Sequence, residues 1–293
     1  MFKKLRRLII LIFRKGVKPF SGHGVGKFYL IRAPYHFLLS FFKISNEVFE
    51  IQGNKMYLDS LDSLGVLGRG VHESLTTDLF KKEIKKSDIV LDIGAHIGYY
   101  TLIFAKLVGK EGKIFAFEPH PNNFALLKKN VEINNYQNVI LEEKAVSDKN
   151  GRIKLFLSEG SSGLHRIYKY KLEGERNFIE VESIKLDDYF KNYDRDINWI
   201  KIDIEGAEWL ALQGMPLLLE KNEKLKIVTE FCPYFIKEFG IHPEEYLKLL
   251  QKYGFRIYNL NEDKNKIETY DITELLKIYT PEKRNLTNLL CIK

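Results

Sequence analysis

Carboxylates recur wherever this chain passes from an apolar run into a glycine or a turn. Asp92 stands two residues before Gly94, Glu118 follows 26 residues later, Asp203 and Glu205 precede Gly206, and Glu230 closes a further apolar run. One acid at such a point is commonplace, but a series of them suggests that they share a site. The sharpest segment is Asp92-Ile-Gly94-Ala-His-Ile-Gly98. A dinucleotide loop needs a GxGxxG pattern so that a pyrophosphate can approach the helix N-terminus. Here the middle glycine is absent and an acid precedes the first one. An acid there attracts an ammonium or sulfonium group and repels a pyrophosphate. Glu118, at the end of the next apolar run, suits the two hydroxyls of a ribose. Together these features favour S-adenosylmethionine, with NAD as the runner-up.

Alternating strands and helices must position these acids. Strands are expected at 88–93, 113–118, 139–141, 199–203 and 226–230, with helices at 97–108, 121–135, 206–213 and 243–253. Residues 152–157 and 178–184 alternate with period two and suggest an added hairpin over the sheet, joined by a polar loop at 158–177. A loop of that length is uncommon without a function. Residues 255–258 and 288–292 read as a closing strand pair. Upstream, 48–58 alternates on both sides of Gly53-Asn54 as a hairpin would, and 73–86 has the pattern of an amphipathic helix. The whole is an α/β chain with a doubly wound, mostly parallel sheet and an N-terminal helical and hairpin extension. Its ligands belong beyond the carboxyl ends of the strands.

The 293 residues carry a net charge of +7, unevenly placed. Residues 1–46 hold ten basic side chains and no Asp or Glu, leaving 36 basic and 39 acidic ones, a balance of −3, on the rest. Nucleic acid is therefore an unfavoured partner for the main domain. The division expected is a basic, apolar arm at 1–46, a hairpin and helix at 47–86, and the main domain at 87–293. The apolar run at 8–13 is too short to span a bilayer, which takes roughly 20 residues, and no small-residue cleavage site follows it. A basic helix on an anionic membrane surface and a helix docked on the domain both fit residues 1–15. The expected location is cytoplasmic, with a possible peripheral contact on the inner membrane surface. Cys232 and Cys291 lie in separate apolar runs and are expected to be buried, reduced thiols. No metal-ligand spacing stands out, so no metal is assigned.

Four segments resemble the FkbM family of S-adenosylmethionine-dependent methyltransferases: VLDIGAHIGYYTL at 90–102, FEPHPNNFALLKKN at 117–130, NVILEEKAVSD at 138–148 and IKIDIEGAEWLALQG at 200–214. The closing NLLCIK is also similar to the family's ending. The resemblance implies a class I, Rossmann-like fold with a seven-stranded sheet and an antiparallel last strand. It implies that Asp92, Gly94, Ala95 and Gly98 wrap the methionine half of the cofactor and that Glu118 holds its ribose. Ala145, Val146 and Ser147 would border the adenine, and Glu73 falls where the family often carries an acid. Asp203 and Glu205 would sit where methyl donor and acceptor meet. The family often has Asn in place of His96, so His96 carries no assigned role.

A neutral alcohol attacks a methyl group poorly until a base takes its proton. Asp203 leads as that base, followed by Glu205 and by His165 in the polar loop. The resulting expectation is O-methylation of a sugar, glycolipid or other small metabolite. The alternatives are an RNA or protein methyltransferase docking through the basic arm, and a non-catalytic binding module on the same scaffold.

Overall fold

The computed structural model describes residues 47–60, 62–158, 162–163, 165–167 and 177–293. The basic arm 1–46, with the apolar run expected to meet a membrane or the domain, lies outside the described residues. The chain opens with β1 (Val48–Ile51), β2 (Asn54–Tyr57), α1 (Val66–Arg69) and α2 (Ser74–Glu83). It continues through β3 (Ile89–Ile93), α3 (Tyr99–Val108), β4 (Lys113–Phe117), α4 (Pro121–Ile133) and β5 (Val139–Glu142). Then come β6 (Ala145–Val146), β7 (Gly151–Phe156), β8 (Phe178–Ile184), α5 (Leu186–Tyr189), β9 (Trp199–Ile202), α6 (Glu208–Gln213) and α7 (Pro216–Lys221). The last elements are β10 (Lys226–Phe231), α8 (Pro233–Glu238), α9 (Pro243–Lys252), β11 (Arg256–Asn261), β12 (Lys266–Glu268), α10 (Ile272–Ile278) and β13 (Thr287–Ile292). No helix among the described residues is long and apolar enough to cross a membrane.

The main sheet runs β12-β11-β13-β10-β9-β3-β4-β5. Its central strands β10, β9, β3, β4 and β5 are parallel, and β13 lies antiparallel between β10 and β11. The sheet has eight strands rather than the expected seven. The extra one, β12, pairs with β11 through only three residues around a polar turn, too little alternation to be visible in sequence. The expected hairpin at 152–157 and 178–184 is present, but β8 also pairs with β6 to make a separate three-stranded sheet. The first hairpin turns at Gln52-Gly53, one residue earlier than expected. Both residues have positive φ, 52° and 74°, the backbone of the tight turn whose twist matches a hairpin.

Both faces of the sheet are covered, as parallel strands require. In β3, Val90 packs under α2 and α3 with Phe80, Tyr100 and Phe104, while Ile89, Leu91 and Ile93 face the other core with Leu212, Met215 and Tyr246. Pro121 occupies the first turn of α4, where its missing N–H costs nothing. The α2 N-terminus is capped from a distance, since Glu262 accepts from the Leu75 and Thr76 amides. The first hairpin is clasped to α4 by Asn130, whose side chain exchanges hydrogen bonds with Tyr57 in both directions, at 2.7 and 2.9 Å. The chain leaves β3 toward β4 and β5 on one side and returns later to β9 on the other. The crevice beyond β3 and β9 is therefore the switch point where such sheets bind ligands.

Candidate active site

A cleft of about 310 Å³ opens at that switch point. Its walls come from three places. The β3, β4, β9 and β10 ends supply Gly94, His96, Glu118, Asp203, Glu205 and Glu230. The N-terminal extension adds Ser63, His72 and Glu73, and the small sheet with its polar loop adds Ala145, Val146, Leu155, Ser162 and His165.

The strand ends are tied together by backbone hydrogen bonds. The Gly94 and Ala95 amides both donate to the Phe117 carbonyl at 3.0 Å, and the Asp203 amide donates to the Ile93 carbonyl at 3.1 Å. Gly94 has φ +79°, and a Cβ there would lie 1.9 Å from the Asp203 carbonyl oxygen. Only glycine allows the two strand ends to come this close. Three other cleft residues adopt left-handed backbone without being glycine: Glu73 (φ 45°), His96 (φ 52°) and Glu205 (φ 57°). Strain of this kind is of order 1–3 kcal/mol per residue and persists where surrounding contacts enforce it, commonly at functional sites.

Glu118 lines the cleft and is held from behind. Its Oε2 accepts from the His96 amide and its Oε1 from the His120 amide, each at 2.9 Å. Burial raises its pKa to about 7 against these two donors. Asp92 sits differently from the expectation. It is completely buried, accepts from the Thr101 hydroxyl at 2.6 Å, and is not among the residues lining the cleft. Ala95, Gly98 and Ser147 are also buried behind the lining. These four shape the cleft from beneath: Asp92 points from β3 into the core, Ala95 and Gly98 form the turn into α3, and Ser147 follows β6. Glu73 does not cap α2 with its side chain. Its Oε2 instead accepts from the Tyr100 hydroxyl at 2.7 Å at the cleft edge.

Lys201 is the residue that sequence reading missed. It pairs in register with Asp92 across β3 and β9. Its Nζ lies 3.2 Å from Asp203 Oδ2, 4.0 Å from Asp92 Oδ1 and 5.1 Å from the centre of the Tyr100 ring. Burial alone would lower its pKa, but Asp203, Asp92 and Glu73 outweigh that and hold it above the ordinary value. Asp203 shows the reciprocal effect: burial pushes it up, yet Lys201 brings it below the usual carboxylate range. The available signal was a lone lysine inside the apolar alternation Trp199-Ile-Lys-Ile-Asp203.

The remaining acids are shifted upward. Burial, reinforced by Asp203, raises Glu205 to about 8 although Arg166 pairs with it at 3.4 Å. Glu208 rises to about 7 by burial, and burial also pushes Glu230, whose Oε2 is unpartnered, well above the ordinary carboxylate value. Arg166 is itself buried and lies 4.3 Å over the Phe235 ring. His165 reaches the cleft but does not fit its expected role as a base. Its Nδ1 accepts from the Ser158 amide at 3.0 Å and its ring stacks on His120 at 4.1 Å, so the neutral ring carries its proton on Nε2 and keeps no spare lone pair. Among the described residues, no group of three or more His, Cys, Asp or Glu side chains is arranged to hold a metal ion. Cys232 and Cys291 are buried free thiols.

These shifts set a pH dependence. A carboxyl whose folded pKa is raised stabilises the fold below its unfolded value, and that stability is lost as pH rises through the folded pKa. Glu118, Glu205 and Glu208 act this way between about 4.5 and 8. His96, lowered from 6.5 to about 4 by burial, acts oppositely, and its contribution is lost only as pH falls through that range. Above pH 6.5 the acids act without that opposition, so the melting temperature of the ligand-free protein is expected to fall between pH 6.5 and 8. Glu205→Gln should flatten the slope. A melting temperature that holds or rises over this interval would contradict the assigned shifts.

The strand order, the glycine crossing at the switch point and the carboxylate at the tip of β4 define a class I, Rossmann-like methyltransferase fold. The chain belongs to the FkbM methyltransferase family, whose domain matches residues 92–257. Among its relatives, Methyltransferase 1 of Beauveria bassiana is 25% identical over 144 residues, 43% of this chain and 57% of that protein. The hexuronic acid methyltransferase AglP of Haloferax volcanii is 26% identical over 191 residues, 64% of this chain and 72% of that protein. Among solved structures, an S-adenosylmethionine-dependent O-methyltransferase from Thermotoga maritima is 15% identical, with 87% of this chain and 81% of that one covered and a TM-score of 0.41.

Proposed function

We propose that this protein moves a methyl group from S-adenosylmethionine to a hydroxyl of a sugar or similar small polar acceptor. The observation that carries the reading is the separation of two kinds of carboxylate along one cleft. Glu118 is braced by two amides with lone pairs left over for a ribose, while Asp203 is kept ionised by Lys201 at the mouth of β9. The residues fit such a cofactor. Gly94 leaves room for close approach, Ala145 and Val146 form an apolar wall, and the surrounding charge is negative where a sulfonium would lie. When bound, S-adenosylmethionine supplies an electrophilic methyl carbon on a cationic sulfur. The chain's own task is to orient the acceptor oxygen and take up its proton. In this reading Asp203 has a different role from the base first expected. A carboxylate held low by a lysine is a weak base, so Asp203 stabilises the positive end of the reacting pair and aligns the hydroxyl. Glu205, raised to about 8, is the stronger base once ionised, and its ionised fraction grows as pH rises toward that value. The sugar acceptor draws support from the relative whose name specifies a hexuronic acid.

Calorimetry with S-adenosylmethionine and S-adenosylhomocysteine, followed by transfer of a labelled methyl group to hexuronate-containing glycans, tests the reading. Asp203→Asn is expected to bind cofactor within a few-fold of wild type and to lose transfer by about 100-fold or more, on the scale of one lost electrostatic partner. Silence of the wild-type protein toward both cofactor forms would overturn the proposal. Undiminished turnover by the variant would remove Asp203 from the mechanism.

A further inference from the structure

His96 remains without a role in this scheme. The ring of His96 lines the cleft, and its two nitrogens differ sharply. Nε2 lies 2.8 Å from the Ser162 hydroxyl, whereas Nδ1 is buried and has no hydrogen-bond partner. The network behind Ser162 decides which nitrogen carries the proton. Ser162 Oγ donates to Asp59 Oδ2 at 3.2 Å, and Ser63 Oγ donates to Asp59 Oδ1 at 3.0 Å. An ionised carboxylate only accepts, and a serine hydroxyl has one hydrogen to give. Ser162 Oγ also lies 3.1 Å from Ser63 Oγ, which gives its own hydrogen to Asp59; in the arrangement that satisfies both Asp59 oxygens, Ser162 accepts from His96. The proton therefore sits on Nε2, and Nδ1 keeps an unshared pair. A buried acceptor left unsatisfied is costly, and a ligand donor would remove that cost.

We propose that His96 Nδ1 is the hydrogen-bond acceptor for the hydroxyl that is to be methylated, and that the Asp59–Ser162 pair sets the tautomer that makes it one. This rests on the methyl-transfer reading above and goes beyond it by naming the residue that holds the acceptor. Two observations place the ring on the acceptor side of the cleft. The amide of His96, and not its ring, meets Glu118, where the ribose is assigned. The charges acting on the ring are Asp59 and Asp203, which favour its protonation, and His72 and Lys201, which oppose it. Asp203 is the acid assigned to the reacting pair. Burial outweighs these charges and keeps the ring neutral down to about pH 4, so the ring adds no positive charge to repel a sulfonium. His96 is thus a positioning residue that presents a fixed lone pair to an O–H. A protonated amine would be held there as well, but a carboxylate would not, since it has no hydrogen to give.

The test uses the full-length protein with 15N-labelled histidine. The His96 ring is expected to show a proton on Nε2 and a bare Nδ1. S-adenosylhomocysteine alone should leave the Nδ1 resonance in place, and methyl α-D-glucopyranoside added on top, at concentrations raised to saturation, should move it. Ser162→Ala should mix the two tautomers. His96→Ala should keep the dissociation constant for S-adenosylhomocysteine within about twofold while raising the acceptor KM by tenfold or more. A proton on Nδ1, a response to S-adenosylhomocysteine alone, or a tenfold loss of cofactor affinity in His96→Ala would each overturn the assignment. So would an Nδ1 resonance indifferent to the pyranoside. Failure of wild-type protein to bind S-adenosylhomocysteine would sink the methyl-transfer reading instead, while the tautomer measurement would still decide the relay.

Discussion

Gly94→Ala is expected to destabilise the protein by more than about 3 kcal/mol and to abolish cofactor binding. Two independent costs add. The new Cβ would lie 1.9 Å from the Asp203 carbonyl oxygen and 3.0 Å from Ile204 Cγ2, and the backbone would have to keep φ +79°. Left-handed backbone costs a non-glycine residue roughly 1–2 kcal/mol. The clash costs more, because its partner is main chain held by the 3.1 Å bond from the Asp203 amide to the Ile93 carbonyl. Relief would require β3 and β9 to part at the point where the cleft begins. Gly240→Ala separates the two costs, since Gly240 has φ +98° and nothing within 4 Å of its added Cβ. Urea unfolding should show a modest loss for Gly240→Ala and a severe one for Gly94→Ala. Equal losses would mean that the strand ends are not packed as described.

Lys201→Met is expected to be the most damaging single change at a charged position. Asp92 and Lys201 have side-chain exposures of only 1% and 6%. Removing one partner of a buried pair strands the other charge and costs about 3–5 kcal/mol. For a domain of this size that is a fall in melting temperature of roughly 6–20 °C, at about 2–4 °C per kcal/mol. The loss should shrink as pH is lowered, because protonating Asp92 removes the stranded charge. It should also shrink in the double variant Asp92→Asn/Lys201→Met, as expected for residues that touch. If the single variant melted like wild type at pH 7, or if the double variant simply summed the two losses, Lys201 would not be the counter-ion of this cluster. The same substitution releases Asp203 from its low pKa, so transfer should fall as it does in Asp203→Asn.

The elements that position the site were legible because they depend on local patterns. The five parallel strands and the helices between them follow from apolar runs bounded by glycine, proline and charge. The turn at Gln52-Gly53 and strand β12 were not legible to the residue, since each depends on backbone geometry or pairing that composition marks only weakly. The acids at the strand tips were likewise legible as a group. What each acid does was not. Asp92 turned out to brace the cleft from the core, and His165 to be locked by a loop amide.

The sequence alone therefore determined the fold class, the family and the end of the sheet at which the site lies. Strand order follows from alternation and short connections, and the glycine loop and Glu118 mark the switch point. Only the tertiary structure decided the protonation states. Asp203 is low because Lys201 lies beside it, Glu205 and Glu230 are high because they share a buried wall, and His96 is neutral because burial outweighs its neighbouring acids. A pKa is set by burial and by charges within a few ångströms. Those neighbours come from segments up to about a hundred residues apart, as with Asp59 and Ser162 behind His96. Spacing in the chain carries no record of that proximity.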